Sequence, residues 1–133
     1  MTQTTTPRAR PLSPHIQIYR WPITMAMSIA HRASGGALYF GTLFLSGWLI
    51  AIASSEEAFT IVNGLFDSLL GRTLLFLYTL GLVHHLVGGV RHLFWDSKPA
   101  LLDKDLATKT AWATVVISLL LTLSIWLIGY GLR

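Results

Sequence analysis

The 133-residue sequence contains no cysteine. No disulfide framework, zinc–thiolate site or cysteine-ligated iron–sulfur cluster can therefore be built from this chain alone. Charge is scarce as well. Asp, Glu, Lys and Arg make up 12% of the residues, about half of the roughly 25% usual in soluble domains. With 53% of the chain apolar, disorder is excluded, because a disordered chain needs low hydrophobicity and high charge. The net charge of +4 comes from scattered Lys and Arg with no basic stripe, which argues against nucleic acid as a partner. What the sequence has in abundance is apolar surface. A chain of this size cannot hide so much of it in its own interior, and a mean hydropathy of +0.57 points to lipid as its solvent.

Three runs are free of Asp, Glu, Lys and Arg: Ala33–Ser55, Thr73–Val90 and Thr110–Leu132, of 23, 18 and 23 residues. About 20 residues of helix cross a bilayer. A soluble bundle of three buried helices is the alternative, but no run carries a polar stripe wide enough for a wet face. The expected fold is an all-α membrane protein. Three transmembrane helices, over about 29–54, 68–94 and 108–131, lie in a domain of residues 23–133 behind an N-terminal arm of residues 1–22. The connections are polar. Residues 54–67 hold Glu56, Glu57 and Asp67, and Asp67 or Ser68 is a candidate cap for the second span. Residues 96–109 alternate acids and lysines, and Pro99–Leu106 is expected to form a turn of surface helix.

Orientation follows the distribution of Lys and Arg. Arg8, Arg10 and Arg20 precede the first span, with Arg32 at its start, and Lys98, Lys104 and Lys109 follow the second. The first connection holds neither Lys nor Arg until Arg72, and only Arg133 lies at the C-terminus. This places the N-terminus and the 96–109 connection in the cytoplasm or mitochondrial matrix. The arm lacks the apolar region and cleavage site of a signal peptide. Pro7, Pro11, Pro14 and Pro22 keep it from forming one long helix, so an extended arm on the cytoplasmic face is expected. The short, Met-initiated N-terminus favours a bacterial inner membrane over mitochondria.

Ionisable groups inside a span are costly and usually functional. The second span offers His84, His85, Arg91 and His92. His85 and His92 are seven residues apart, about two turns, so they share a face at depths differing by about 10 Å. Gly81, Gly88 and Gly89 fall on that face, where missing side chains leave room for a flat macrocycle. The first span opens with Ser28, His31, Arg32, Gly35 and Gly36, all on one helical face. Antiparallel packing brings the start of this span to the depth where the second ends, so Ser28, His31, Arg32, Arg91 and His92 are expected in one polar cluster. A haem on edge suits this layout. His85 would hold the iron, and the propionates would rise toward His31, Arg32 and His92. Histidines making interhelical hydrogen bonds and arginines snorkelling to headgroups are the alternatives. A membrane haem b usually takes two axial imidazoles, and this chain offers one well-placed candidate. Either there is no haem, or a second chain supplies the other ligand.

Three stretches resemble the cytochrome b subunit of succinate dehydrogenase, the membrane anchor of respiratory complex II. They are Arg10-Pro11-Leu12-Ser13-Pro14-His15-Ile16-Gln17-Ile18-Tyr19, Ser28-Ile29-Ala30-His31-Arg32-Ala33-Ser34-Gly35, and His85-Leu86-Val87-Gly88-Gly89-Val90-Arg91-His92-Leu93-Phe94-Trp95-Asp96. The resemblance covers almost the whole chain. It implies His85 as axial ligand of haem b, His31 and Arg32 near the propionates, and His92 as a further cofactor-binding residue. It implies Ser28 and Arg32 as the quinone-site residues. It also implies a second small anchor subunit that completes the helical bundle and contributes the other haem ligand and a quinone-binding Tyr. Iron–sulfur and flavoprotein subunits would dock on the cytoplasmic face, with ubiquinone as substrate and no catalysis by this chain alone. Asp96 is a candidate proton relay, or a helix-end acid in a surface ion pair. Two rival functions are a haem-free anchor, as in some fumarate reductases, and an ion- or proton-conducting subunit using His84, His85 and His92.

Overall fold

The computed structural model describes residues 19–132. The N-terminal arm up to residue 18, with the first of the three resembling stretches almost entire, lies outside the described residues. Four α-helices are seen: α1 (Ile23–Ser54), α2 (Glu56–Asp67), α3 (Leu69–Ser97) and α4 (Lys104–Gly131). Among the described residues there is no strand. The three long helices have 32, 29 and 28 residues. At 1.5 Å per residue they reach about 42–48 Å, well beyond the roughly 30 Å of a hydrocarbon core. Each is apolar enough to cross a membrane.

The helix ends are set by short polar side chains. Pro22 precedes α1 and its carbonyl accepts from Met25 and Ala26 N–H at 3.0 and 3.2 Å. Proline suits a helix start, where its missing N–H removes no bond. Ser68 caps α3 by accepting from Gly71 N–H at 3.0 Å. Of the two candidate caps, Ser68 takes the role and Asp67 ends α2. Asp103 caps α4 through Asp105 and Leu106 N–H at 3.0 and 3.2 Å. The expected turn after α3 is a 3-10 turn over Pro99–Leu102, shorter than the sequence suggested because Asp103 starts α4.

The first connection is itself a helix, which its polar ends obscured. Ser55 accepts from Ala58 N–H at 3.1 Å. Glu56 and Glu57 complement the positive end of the α2 dipole. Ala58, Phe59, Val62, Asn63 and Phe66 turn inward at helical spacing. This face packs on α1 and α3. Gly71 is needed at the corner, since a Cβ there would meet the Leu65 carbonyl.

The core is thin. Among the described residues the buried apolar side chains are Met27, Ala51, Val83, Ala107 and Ala111. A row down α4 accounts for the closest packing: Ala107, Ala111, Thr114, Ser118 and Thr122, each 8% exposed or less. Small residues at one turn's spacing let α3 approach the α4 backbone, the usual basis of helix association where lipid removes the hydrophobic drive. The three buried hydroxyls donate to carbonyls one turn back, at 2.9, 2.7 and 2.8 Å, so none is left unsatisfied. Large side chains such as Tyr39, Phe44 and Leu127 face outward at 73–75% exposure. They meet lipid or another subunit.

The α4 stripe yields a test. Ser118→Leu inserts bulk where no space exists and is expected to cost about 1–3 kcal/mol. Ser118→Ala, which keeps the size, is expected to stay within about 0.5 kcal/mol, as for a substitution that opens no cavity. Thermal unfolding of the membrane-extracted protein checks the pair.

Candidate functional site

The centre of the α1–α3 contact is a reciprocal exchange of histidines and glycines. The His31 ring lies on Gly88, where an added Cβ would stand 2.6 Å from His31 Cδ2. The His85 ring lies on Gly35, where a Cβ would stand 2.9 Å from His85 Cε1. The two imidazoles stack on each other, centroids 4.0 Å apart and planes 13° from parallel. Gly41 receives the Tyr78 ring in the same antiparallel register, two turns farther along. Each glycine thus removes a side chain where the facing helix brings a ring.

Hydrogen bonds fix both tautomers. His85 Nδ1 lies 3.0 Å from the His31 carbonyl, and His31 Nε2 lies 3.2 Å from the His85 carbonyl. A carbonyl only accepts, so each of these nitrogens carries the proton and donates. His85 is left with Nε2 as a bare lone pair. That is the arrangement seen in metal-ligating histidines, whose other nitrogen is anchored to a carbonyl or carboxylate. Ser34 strengthens the anchor. Its hydroxyl donates to the His31 carbonyl at 2.9 Å and lies 3.3 Å from His85 Nδ1. Spacing alone does not mark Ser34, which falls one turn after His31.

His92 completes the face. Its ring meets His31 edge-on at 5.2 Å and Trp95 at 5.1 Å. The structure therefore gathers His31, His85 and His92 but not the whole expected cluster. Arg91 turns to α4, where an Nη donates to the Ala107 carbonyl at 3.4 Å and the guanidinium sits 4.2 Å from the Trp95 ring centroid. Arg91 and His92 are neighbours in sequence, about 100° apart around α3, so one face cannot hold both. Ser28 and Arg32 form a separate pair on α1. An Arg32 Nη donates to Ser28 Oγ at 3.1 Å, with Arg32 exposed and Ser28 half-buried. His84 points elsewhere, its Nε2 buried without a hydrogen bond. Asp96 is exposed near the end of α3. Arg72 and Asp67 form an ion pair at 3.5 Å at the opposite end of the bundle.

The donor set fits a single axial contact to a haem iron. His85 Nε2 is free and its ring is held, while His31 Nε2 is already spent on a carbonyl. Among the described residues no three His, Asp or Glu converge as a metal cage. The glycine face offers less room than the sequence suggested. Gly88 is filled by His31, whereas a Cβ at Gly36 or Gly81 would meet nothing within 4 Å.

Fold and site together define an all-α membrane protein with a histidine face between its first and second spans. The pattern of the succinate dehydrogenase/fumarate reductase transmembrane subunit family matches residues 6–125. A succinate dehydrogenase cytochrome b556 subunit of Paracoccus denitrificans is 38% identical over 112 residues, covering 84% of this chain and 85% of that protein. One of Rickettsia felis is 35% identical over 117 residues, covering 88% and 90%. The mitochondrial cytochrome b560 subunit of Sus scrofa is 41% identical over 118 residues, covering 85% of this chain and 65% of that protein. The chain belongs to the succinate dehydrogenase/fumarate reductase transmembrane subunit family.

The glycine exchange yields a contrast between neighbours. Gly88→Ala is expected to destabilise by about 1–3 kcal/mol through the clash with His31. Gly36→Ala, facing open space, is expected to gain about 0.5–1 kcal/mol from the lower flexibility of the unfolded chain. Melting curves of the two variants beside the parent decide it.

Proposed function

We propose that the chain is the cytochrome b anchor of a succinate:quinone oxidoreductase, binding haem b together with a second small anchor subunit and forming one wall of the quinone site. The observation that carries this reading is the anchored His85 ring with its bare Nε2, in a member of a family whose relatives are named cytochrome b subunits. His85 would ligate the iron, with His31, Arg32 and His92 toward the propionates. The companion subunit would supply the other ligand. Haem b, when bound, would supply a one-electron redox centre.

Ser28 and Arg32 act on the quinone. Arg32 donates to the Ser28 oxygen at 3.1 Å and so occupies a lone pair there. The Ser28 proton is then free to turn outward and donate to a quinone carbonyl. The exposed Arg32 guanidinium stabilises the negative charge that develops as the quinone is reduced, a permanent cation already in place when that charge forms. Succinate is oxidised in the flavoprotein subunit, and electrons arrive through the iron–sulfur subunit docked at the end of the bundle bearing the α1 N-terminus. Lys98, Lys104 and Lys109 gather at that same end, which supports a cytoplasmic or matrix position there.

Two experiments on the purified complex test the reading. His85→Leu is expected to remove or shift the reduced haem b absorption band. An unchanged band overturns the ligand, and a negative pyridine haemochrome assay of the parent complex favours the haem-free anchor. Arg32→Leu is expected to slow quinone reduction about a hundredfold, the scale for losing one charge-stabilising donor, while succinate oxidation with an artificial acceptor survives. Ser28→Ala is expected to raise the quinone KM in the same assay.

A further inference from the structure

Serine and threonine hydroxyls inside these helices bond carbonyls of their own helix one turn back, as Thr42, Ser46, Thr79 and Ser118 do at 2.6–2.8 Å. In that form a hydroxyl in lipid satisfies only itself. Among the described serines and threonines, Ser34 alone does more. Its hydroxyl donates to the His31 carbonyl at 2.9 Å, and its oxygen also reaches a side chain of another helix, His85 Nδ1 at 3.3 Å.

The contacts close a triangle. His85 Nδ1–H donates to the His31 carbonyl at 3.0 Å, the same carbonyl that receives the Ser34 proton. Helix geometry turns that carbonyl toward the Gly35 N–H as well. Three donors thus compete for two lone pairs. Because His85 Nδ1 carries its proton, Ser34 Oγ faces it only as an acceptor. Ser34 therefore acts on His85 in two opposed ways. It takes acceptor strength from the carbonyl, and it offers a weaker acceptor of its own. The lengths decide which is larger. The hydroxyl–carbonyl bond at 2.9 Å is of ordinary length, whereas 3.3 Å lies past the usual N–H···O range. The draw on the carbonyl wins.

We propose that Ser34 is a positioning residue that sets how much electron density His85 Nε2 gives to a metal. The proposal rests on the reading of His85 as a haem b ligand. A strong acceptor on Nδ1–H increases donation from the other ring nitrogen. Greater donation favours ferric over ferrous iron and lowers the reduction potential. By sharing the His31 carbonyl, Ser34 limits that donation and keeps the potential higher than His31 and His85 alone would set it.

The test is a potentiometric titration of haem b in the purified complex, with the low-spin ferric EPR spectrum recorded alongside. Ser34→Ala is expected to shift the one-electron equilibrium toward ferric haem about three- to tenfold, the scale of part of one hydrogen bond. At 59 mV per tenfold this lowers the midpoint by about 30–60 mV. The EPR signal is expected to move as a single species. Ser34→Thr keeps the hydroxyl and is expected to restore the parent values. Ser46→Ala removes a self-bonded hydroxyl from the same helix and is expected to leave them unchanged. An unchanged or raised potential in Ser34→Ala overturns the proposal. So does an equal fall in Ser46→Ala, or no recovery in Ser34→Thr. Should Ser34→Ala lose its haem, Ser34→Cys decides, because a thiol is a weak donor. Its potential is expected below the parent's, and a parent value overturns the proposal. Loss of haem from both variants overturns it too, since the hydroxyl then holds the ring instead of tuning it. A parent complex without haem overturns the ligand reading and the proposal together, whereas a parent with haem and no shift in the variants overturns the proposal alone.

Discussion

Two imidazoles laid on two glycines hold the arrangement together. His31 and His85 each need a facing residue without a side chain, and each finds one on the opposite helix. The stacked rings then exchange hydrogen bonds with each other's backbone carbonyls. Neither half works alone. Removing a glycine's vacancy displaces a ring, and displacing a ring strips an imidazole N–H of its acceptor, which lipid cannot replace. This mutual dependence makes the α1–α3 register discrete, and the position of every group near the α1 N-terminus follows from it.

The α3–α4 contact works on a different principle. There no ring interlocks. A stripe of Ala, Ser and Thr brings the backbones close, and the hydroxyls are satisfied within α4. One side of α3 is therefore specified by shape and hydrogen bonding, the other by close approach. Between them α3 carries His84, His85, Arg91 and His92, sorted by angle: His85 and His92 toward α1, His84 and Arg91 elsewhere. The sorting explains why a helix with so little hydrophobic asymmetry is still specific in what it touches.

Much of this was legible in the amino-acid order. Three apolar runs of membrane length set the three long helices, and the quoted stretches around His31 and His85 led to the family. The helix over Glu56–Asp67 was less visible, because its inward face is only a few apolar residues between acidic ends. The polar cluster is smaller than spacing suggests. Spacing along one helix says which residues share a face, but not which neighbour that face meets, and Arg91 diverges from His92 toward α4. The role of Gly35 and Gly88 was half legible. A gap on a helix announces that something large lies opposite, and only the pairing of helices reveals that it is an imidazole from the same chain. Ser34 escaped notice because a serine in a membrane helix ordinarily bonds its own backbone, as Ser34 also does.

The clamped His85 ring has a consequence for biogenesis. Its orientation depends on contacts within a single polypeptide, so the Nε2 lone pair is set as soon as two helices meet in the bilayer. The entropy of ordering the imidazole is then settled during insertion, before anything outside this chain arrives.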